Sequence, residues 1–256
     1  MMTEIRGKSE VVNFSKTAVF VTACVFSLMM VLFLPIETSA QKKMSKKEQK
    51  EVNNVKQLSS KASKAFREII EIKEKSIPER LMRDAKAIAV FPGVVKAAFI
   101  FGGRGGKGLV SRKLQSGWSA PAVYKFGGGS AGFQIGASST DVILLFMTED
   151  SLNSLLQDKF EIGGEAAVAA GPIGRSAEAA TDAQLDAQIL SYSKSKGLFA
   201  GVSVAGAVIS ADDDANKAVY GLPAKELLTG VNKVAIADIP DATKLFQQTI
   251  TNVAGK

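Results

Sequence analysis

The sequence predicts an α+β fold: a mainly antiparallel, strongly curved sheet or barrel-like β core of about six to eight strands, with flanking helices. Three observations carry this reading. Short runs rich in Val, Ile, Phe and Ala, punctuated by glycine, recur through the middle of the chain. Helical periodicity is confined mostly to the two ends. Glycines also sit inside the apolar runs, which fits bent strands or close crossing of chains better than flat pairing.

The elements follow in order. From Ser45 to Lys75 the apolar residues Val52, Val55, Leu58, Ala62, Ala65, Phe66, Ile69, Ile70 and Ile72 fall mainly at steps of three and four, an amphipathic helix. SIPER supplies a second helix start, with Ser76 as N-cap and Pro78 and Glu79 in the first turn. AIAVFPGVVKAAFIF, broken at Pro92-Gly93, reads as two strands or as one strand and its extended approach. WSAPAVYKF leads into GGGSAGFQIGAS. TDVILLFMT has the continuous apolar run of a strand buried on both faces. TEDSLNSLLQ is a short helix capped by Thr148. FEIGGEAAVAAGPIGR, dominated by Gly and Ala, lets backbones approach closely, and QILSYSKSKGLFAGVSVAGAVIS is a hairpin turning around Lys194 to Gly197. Helices at ANKAVY, PAKELL and Pro240 to Val253 close the chain.

Composition narrows the chemistry. The chain has 256 residues, 46% hydrophobic and 22% charged, enough for one sizeable core plus extensions. It holds no histidine, which removes Ser-His-Asp and Cys-His catalysis and histidine-ligated zinc. No motif places two carboxylates on a shared site, so the sequence reads as non-enzymatic, with no cofactor or metal implied. Asp212, Asp213 and Asp214 lack the spaced ligands of a calcium loop and read as a solvated turn and helix cap. Arg175, ending GPIGR, reads as a structural arginine paired to a carboxylate.

Thr17 to Ile36 carries no charge, follows Arg6, Lys8 and Lys16, and precedes small residues ending at Ala40, the pattern of a secretory signal peptide. An uncleaved membrane anchor is the alternative, since the run approaches the roughly 20 residues that span a bilayer. Cys24, the only cysteine, lies inside the apolar run rather than at its end, unlike a lipid-modified cysteine. The organisation read from this is residues 1–40 signal, 41–76 basic amphipathic leader and 77–256 globular domain, in a chain that is exported and periplasmic or envelope-associated.

The net charge of +7 is concentrated in the leader, where residues 41 to 75 hold eleven basic groups against five glutamates. That segment reads either as a solvated helix face or tether, or as an attractor for anionic lipid, worth about 1 kcal/mol per cation near an acidic surface. Lys42, Lys43, Lys46 and Lys47 are its candidate contacts. GRGGKG, Gly103 to Gly108, matches the letters of G-x-G-x-x-G, but LVSRKL follows where a dinucleotide site needs a helix, and the Walker pattern fails too. The stretch therefore reads as a glycine-rich β-hairpin carrying Arg104 and Lys107, with Arg112 and Lys113 on its outgoing strand. Amides freed by glycine and these cations form a candidate phosphate-headgroup site, the other reading being a solvated turn. Few aromatics interleave the basic residues, which argues against nucleic acid.

IPERLMRDAKAIAVFPGVVKAAFIFGGRGGKGLVSRK, WSAPAVYKFGGGSAGFQIGAS, TDVILLFMT, AAVAAGPIGR and SYSKSKGLFAGVSVAGAVIS, in this order, resemble the SYLF domain family over Ile77 to Leu228. The resemblance implies a non-enzymatic module. Eukaryotic members bind phosphoinositide membranes through an N-terminal amphipathic helix and basic residues, and yeast members are also described as actin-binding. Combined with the leader, it implies an envelope module that binds anionic lipid, with an envelope protein as the second class of partner. The alternative is a structural or protein-interaction module without lipid dependence.

Overall fold

The computed structural model describes residues 44–71, 76–98, 101–131, 136–157, 159–173, 187–195, 198–201, 204–230 and 234–255. The Thr17–Ile36 run, Ala40, Lys42, Lys43 and Arg175 lie outside them. Among the described residues no helix is long and apolar enough to cross a membrane.

Met44–Lys256 forms one compact unit. Helix α1 (Lys46–Ile70) comes first, followed by α2 (Glu79–Asp84) and the long strands β1 (Ala87–Ala98) and β2 (Phe101–Leu114). Then come β3 (Gly117–Trp118), β4 (Ala122–Ala131), β5 (Gly136–Phe146), α3 (Glu149–Leu155), β6 (Lys159–Glu161) and β7 (Val168–Ala170). β8 (Ile189–Ser195), β9 (Leu198–Gly201) and β10 (Val208–Ala211) complete the strands, and α4 (Asp213–Tyr220), α5 (Ala224–Thr229) and α6 (Asp241–Ala254) close the unit.

The sheet runs β6-β10-β4-β2-β1-β5-β8-β7, with β3 added on β2 and β9 on β8. Every pairing is antiparallel except β7 with β8. The two ends of this path are consecutive in the chain, and Ile162 bridges Ala166 between them. The sheet is thus curled into a half-barrel, as the glycine content of its strands foretells. Among the described residues the path has eight strands, within the expected six to eight, with the short β3 and β9 added beside it.

Alternation along the strands separates two cores. Ile88, Val90, Leu109, Val123, Ile143, Leu145 and Tyr192 face out, beneath α1, α2 and α6. Ala89, Phe91, Val110, Tyr124, Val142, Leu144, Phe146 and Phe160 face in, closed over by α3 and α5. β5 is therefore buried on both faces from Val142 to Phe146, as its unbroken apolar run requires.

The helices follow local chemistry. Ser45 and Glu48 form a reciprocal capping box that starts α1, with Ser45 Oγ accepting from Glu48 N at 3.2 Å and Glu48 Oε2 accepting from Ser45 N at 2.7 Å. Val55, Ala62, Ala65, Phe66 and Ile69 are its buried stripe. Each large member contributes about 1.5–3 kcal/mol. Small residues let α1 and α6 close together, and Ser59 Oγ accepts from Phe246 N at 3.2 Å. Thr148 caps α3 as expected, whereas α2 begins after Pro78, leaving Ser76 outside the cap. Pro already presets the backbone angle for a helix start.

Two expectations for the strands are corrected. AIAVFPGVVKAA is a single strand whose register shifts at Pro92-Gly93, a bulge rather than a break. Gly93 takes φ 62° there, and its N–H leaves the ladder to donate to Asp141 Oδ1 at 2.8 Å. GGRGGKG is not a hairpin tip: it lies inside β2, paired to β1 on one side and to the GGG of β4 on the other. Gly108 is demanded by the inner core, because a Cβ there would lie 2.3 Å from Phe91 Cδ1 and 2.4 Å from Val90 O.

Candidate functional site

Of the eight cations singled out from the sequence, the six described ones do not form one site, and only Lys47 and Lys107 share a recess. Lys42 and Lys43 are outside the described residues. Arg104 and Lys107 are an odd number of positions apart on β2, so they leave opposite faces of the sheet. Arg112 and Lys113 lie some eight residues beyond Arg104, about 27 Å along an extended strand. The stretch from Arg104 to Gly108 pairs with β4 throughout, while Gly106 to Gly108 lie opposite the β1 bulge without a register partner there, so it is strand rather than hairpin tip.

Each described β2 cation has its own occupation. Arg104 Nη2 donates to Ala205 O at 2.8 Å and its guanidinium sits 5.9 Å from the Phe126 ring centroid. Partial burial lowers its pKa from the ordinary arginine value. Arg112 Nη2 lies 3.6 Å from Glu149 Oε2, and Lys113 Nζ donates to Arg83 O at 2.6 Å.

Lys107 reaches a cluster that the sequence does not advertise. Its Nζ is 2.7 Å from Asp212 Oδ2 and 3.1 Å from Glu51 Oε1, and Lys125 Nζ is 3.1 Å from Asp212 Oδ1. Burial pushes the Asp212 carboxyl up, but the two ammonium groups outweigh it and hold its pKa below the usual value. Burial likewise pushes Lys107 down, and Asp212 and Glu51 more than restore it, leaving a raised pKa. Asp212 is thus a buried anchor rather than a solvated turn; Asp213 accepts from Ala224 N at 2.9 Å and Asp214 is exposed. The three carboxylates diverge, and among the described residues no group of three acidic side chains is arranged to hold a metal ion.

Helix α1 borders this cluster and three adjoining recesses. The first, about 480 Å³, lies among Lys47, Glu51, Lys107, Lys125, Asp212 and Lys217. The second, about 330 Å³, lies between Glu51, Leu58 and Lys61 of the helix and Gly93, Val95 and Gly105 of the sheet. The third, about 450 Å³, is bounded by Lys61, Lys64, Glu68, Gly93 and Asp141. There Lys194 hydrogen-bonds Glu68, the main cause of the lowered Glu68 pKa. Glu51–Lys107 and Glu68–Lys194 tie the two ends of α1 to the sheet.

The exposed face of α1 is basic. The helix carries seven Lys or Arg against three Glu, and Lys46, Lys47, Lys50, Lys56, Lys61, Lys64 and Arg67 are all exposed. Lys46, Lys47 and Lys50 lie in its first turns, where the helix dipole is positive and a cation costs about 0.3–1 kcal/mol. The apolar stripe of the same helix is already consumed by its own core. α1 therefore exposes charge, with its apolar stripe buried.

Comparison with known proteins bears on the family resemblance. Residues 127–253 match a family model described as "Ysc84: Las17-binding protein actin regulator". The chain is 40% identical over 163 residues to "LAS seventeen-binding protein 3" of Saccharomyces cerevisiae, covering 61% of this chain and 35% of that protein. It is 39% identical over 173 residues to "Protein YSC84" of the same yeast, covering 65% of this chain and 37% of the relative. With the human "SH3 domain-containing YSC84-like protein 1" it shares 34% identity over 149 residues, 57% of this chain and 43% of the other. The chain spans less than half the length of these curated relatives. With the half-barrel already in view, residues 127–253, just under half of the chain, are similar to the Ysc84 family.

Proposed function

We propose that the protein is a non-enzymatic binding module that holds an acidic protein surface against the exposed basic face of α1. The observation that carries this is the position of Lys46, Lys47 and Lys50. They stand exposed in the helix turns where cations are least favourable, and none is in an ion pair among the described residues. A protein partner is the occupant that the relatives' names support, since one is called LAS seventeen-binding and the family is described as an actin regulator.

A second reading, attraction to an anionic bilayer, draws on the same lysines continuing the basic run from Lys42 and Lys43. The buried apolar stripe of α1 weighs against it, because stable surface binding by a helix needs a free apolar face as well as charge. Export is a separate part of the proposal, supported by the Thr17–Ile36 run and the small residues before Ala40. On that reading the cellular partner is an acidic envelope protein, and an acidic filament serves as a chemical probe. The intact mass of the protein recovered from its own cells tests export: loss of the first forty residues supports it, and a full-length mass refutes cleavage.

The test of binding is co-sedimentation of the full chain with filamentous actin and, in parallel, with neutral and acidic vesicles. Filament binding that Lys46→Glu/Lys47→Glu/Lys50→Glu abolishes supports the proposal. Retention on acidic vesicles alone refutes it in favour of the bilayer.

A further inference from the structure

The outer face of the sheet carries four glycines for which the fold has no use. Gly103 pairs with Gly129, and Gly105 with Gly127, across β2 and β4; residues directly opposite in an antiparallel pair share a face. It is the outer face, because Lys107 and Leu109, next on the same side of β2, reach α1 and the outer core. None of the four has a positive φ. A Cβ on Gly103 or Gly129 would meet nothing within 4 Å, and on Gly105 or Gly127 only a backbone oxygen at 3.9 Å. Glycine in mid-strand sacrifices order and packing. With neither a turn nor a neighbour to require it, the remaining reason is close approach of a ligand or another backbone from outside.

The surroundings say what approaches. Lys107 pairs with Lys125, Lys125 with Ser210 and Ser210 with Lys159, so three exposed lysines form one cross-strand row on β2, β4 and β6; Lys107 and Lys125 also hold Asp212 and Glu51 but stay 45% and 50% exposed, and Lys159 is in no ion pair among the described residues. That row lies two residues, about 7 Å, from the Gly105–Gly127 pair. On the other flank Val95, the register partner of Gly105, is 50% exposed and shares the 330 Å³ recess with Leu58. A flat patch stripped of side chains, bordered by a lysine row, by Val95 on one flank and by Val208 and the exposed Glu161 on the other, is complementary to a chain rather than to a headgroup layer. A bilayer gains nothing from a missing Cβ, whereas a peptide whose backbone lies on the sheet does.

We infer that the Gly103–Gly129 and Gly105–Gly127 patch docks an extended acidic segment of a protein partner, with its carboxylates on the row of Lys107, Lys125 and Lys159. This rests on the protein-binding reading above and names the chemistry of the partner. The test uses the full chain and a fluorescent peptide alternating Glu and Val, with a Lys/Val peptide as control, read by anisotropy. The wild type binds the acidic peptide and not the basic one. Gly103→Thr/Gly105→Thr/Gly129→Thr weakens binding about tenfold or more, while its melting temperature stays level or rises, because threonine suits a strand and the space is open. Lys159→Glu, which leaves the glycines intact, weakens the same binding.

Unchanged peptide affinity in both variants overturns the inference. So does a wild type that ignores the peptide and binds acidic vesicles as well as the threonine variant does. If the threonine variant sediments with filaments normally while the α1 charge reversal does not, the glycine patch falls and the α1 reading stands. The opposite pattern removes α1 and keeps the patch.

Discussion

Replacing Asp212 by Asn tests the electrostatics that position α1 against the sheet. The Asp212 side chain is 3% exposed, whereas its partners Lys107 and Lys125 are 45% and 50% exposed. Removing one member of a fully buried pair costs about 3–5 kcal/mol. Here the stranded lysines turn into water, so the loss is reduced towards the surface range, and about 1–2 kcal/mol is expected. For a unit of this size that is a fall of about 3–6 °C in melting temperature. The pH dependence has a defined sign. Asp212 has a lowered folded-state pKa, so its contribution is present above the ordinary carboxylate value of about 3.9 and fades as pH falls through the folded value. Lys107 has a raised pKa, so its share is present below about 10.4 and is lost as pH rises through the folded value. Thermal melts of wild type and Asp212→Asn between neutral and acid pH should therefore differ at pH 7 and converge below pH 4. Equal melting temperatures at pH 7, or a gap that persists undiminished in acid, would refute the assignment.

Three further outcomes follow from packing. Gly108→Ala forces a Cβ into the Phe91 ring and the Val90 carbonyl, and a loss of about 3 kcal/mol is expected in urea melts; wild-type stability would contradict the close approach. Gly171→Ala should behave alike, since its Cβ would lie 2.1 Å from Tyr192 Cζ. In Asn216→Ala, Val123 loses the acceptor of its N–H at 2.7 Å and one of two donors to its C=O, Asp212 N remaining at 3.0 Å, which costs about 2 kcal/mol and exposes the Val123 amide to hydrogen exchange.

Much of the fold is legible in the sequence because it rests on local pattern. The α1 stripe of Val55, Ala62, Phe66 and Ile69, the Thr148 cap and the doubly buried run Val142 to Phe146 each declare themselves within a single element. GGRGGKG misleads because glycine favours both turns and close strand contacts, and only the pairing of β2 with β1 and β4 separates them. The candidate site is less legible. Glu51, Lys107, Lys125 and Asp212 come from α1, β2, β4 and the β10–α4 junction, far apart in the chain, and meet only once the half-barrel closes. The basic character of α1 is visible beforehand, as a charge count. That its apolar face is spent on the core, leaving charge exposed, is a property of the packed structure.

On the proposed reading, α1 binds through charge presented at its N-terminal end. The most direct measurement is the affinity of the full chain for filamentous actin, at low and high salt, set beside that of Lys46→Glu/Lys47→Glu/Lys50→Glu, with the melting temperature of each. The wild type should bind and weaken steeply with salt. The variant should lose binding while melting at the same temperature or higher, because glutamates suit the first turns of a helix. A variant that binds filaments as tightly as the wild type, or a wild type indifferent to salt, would contradict it.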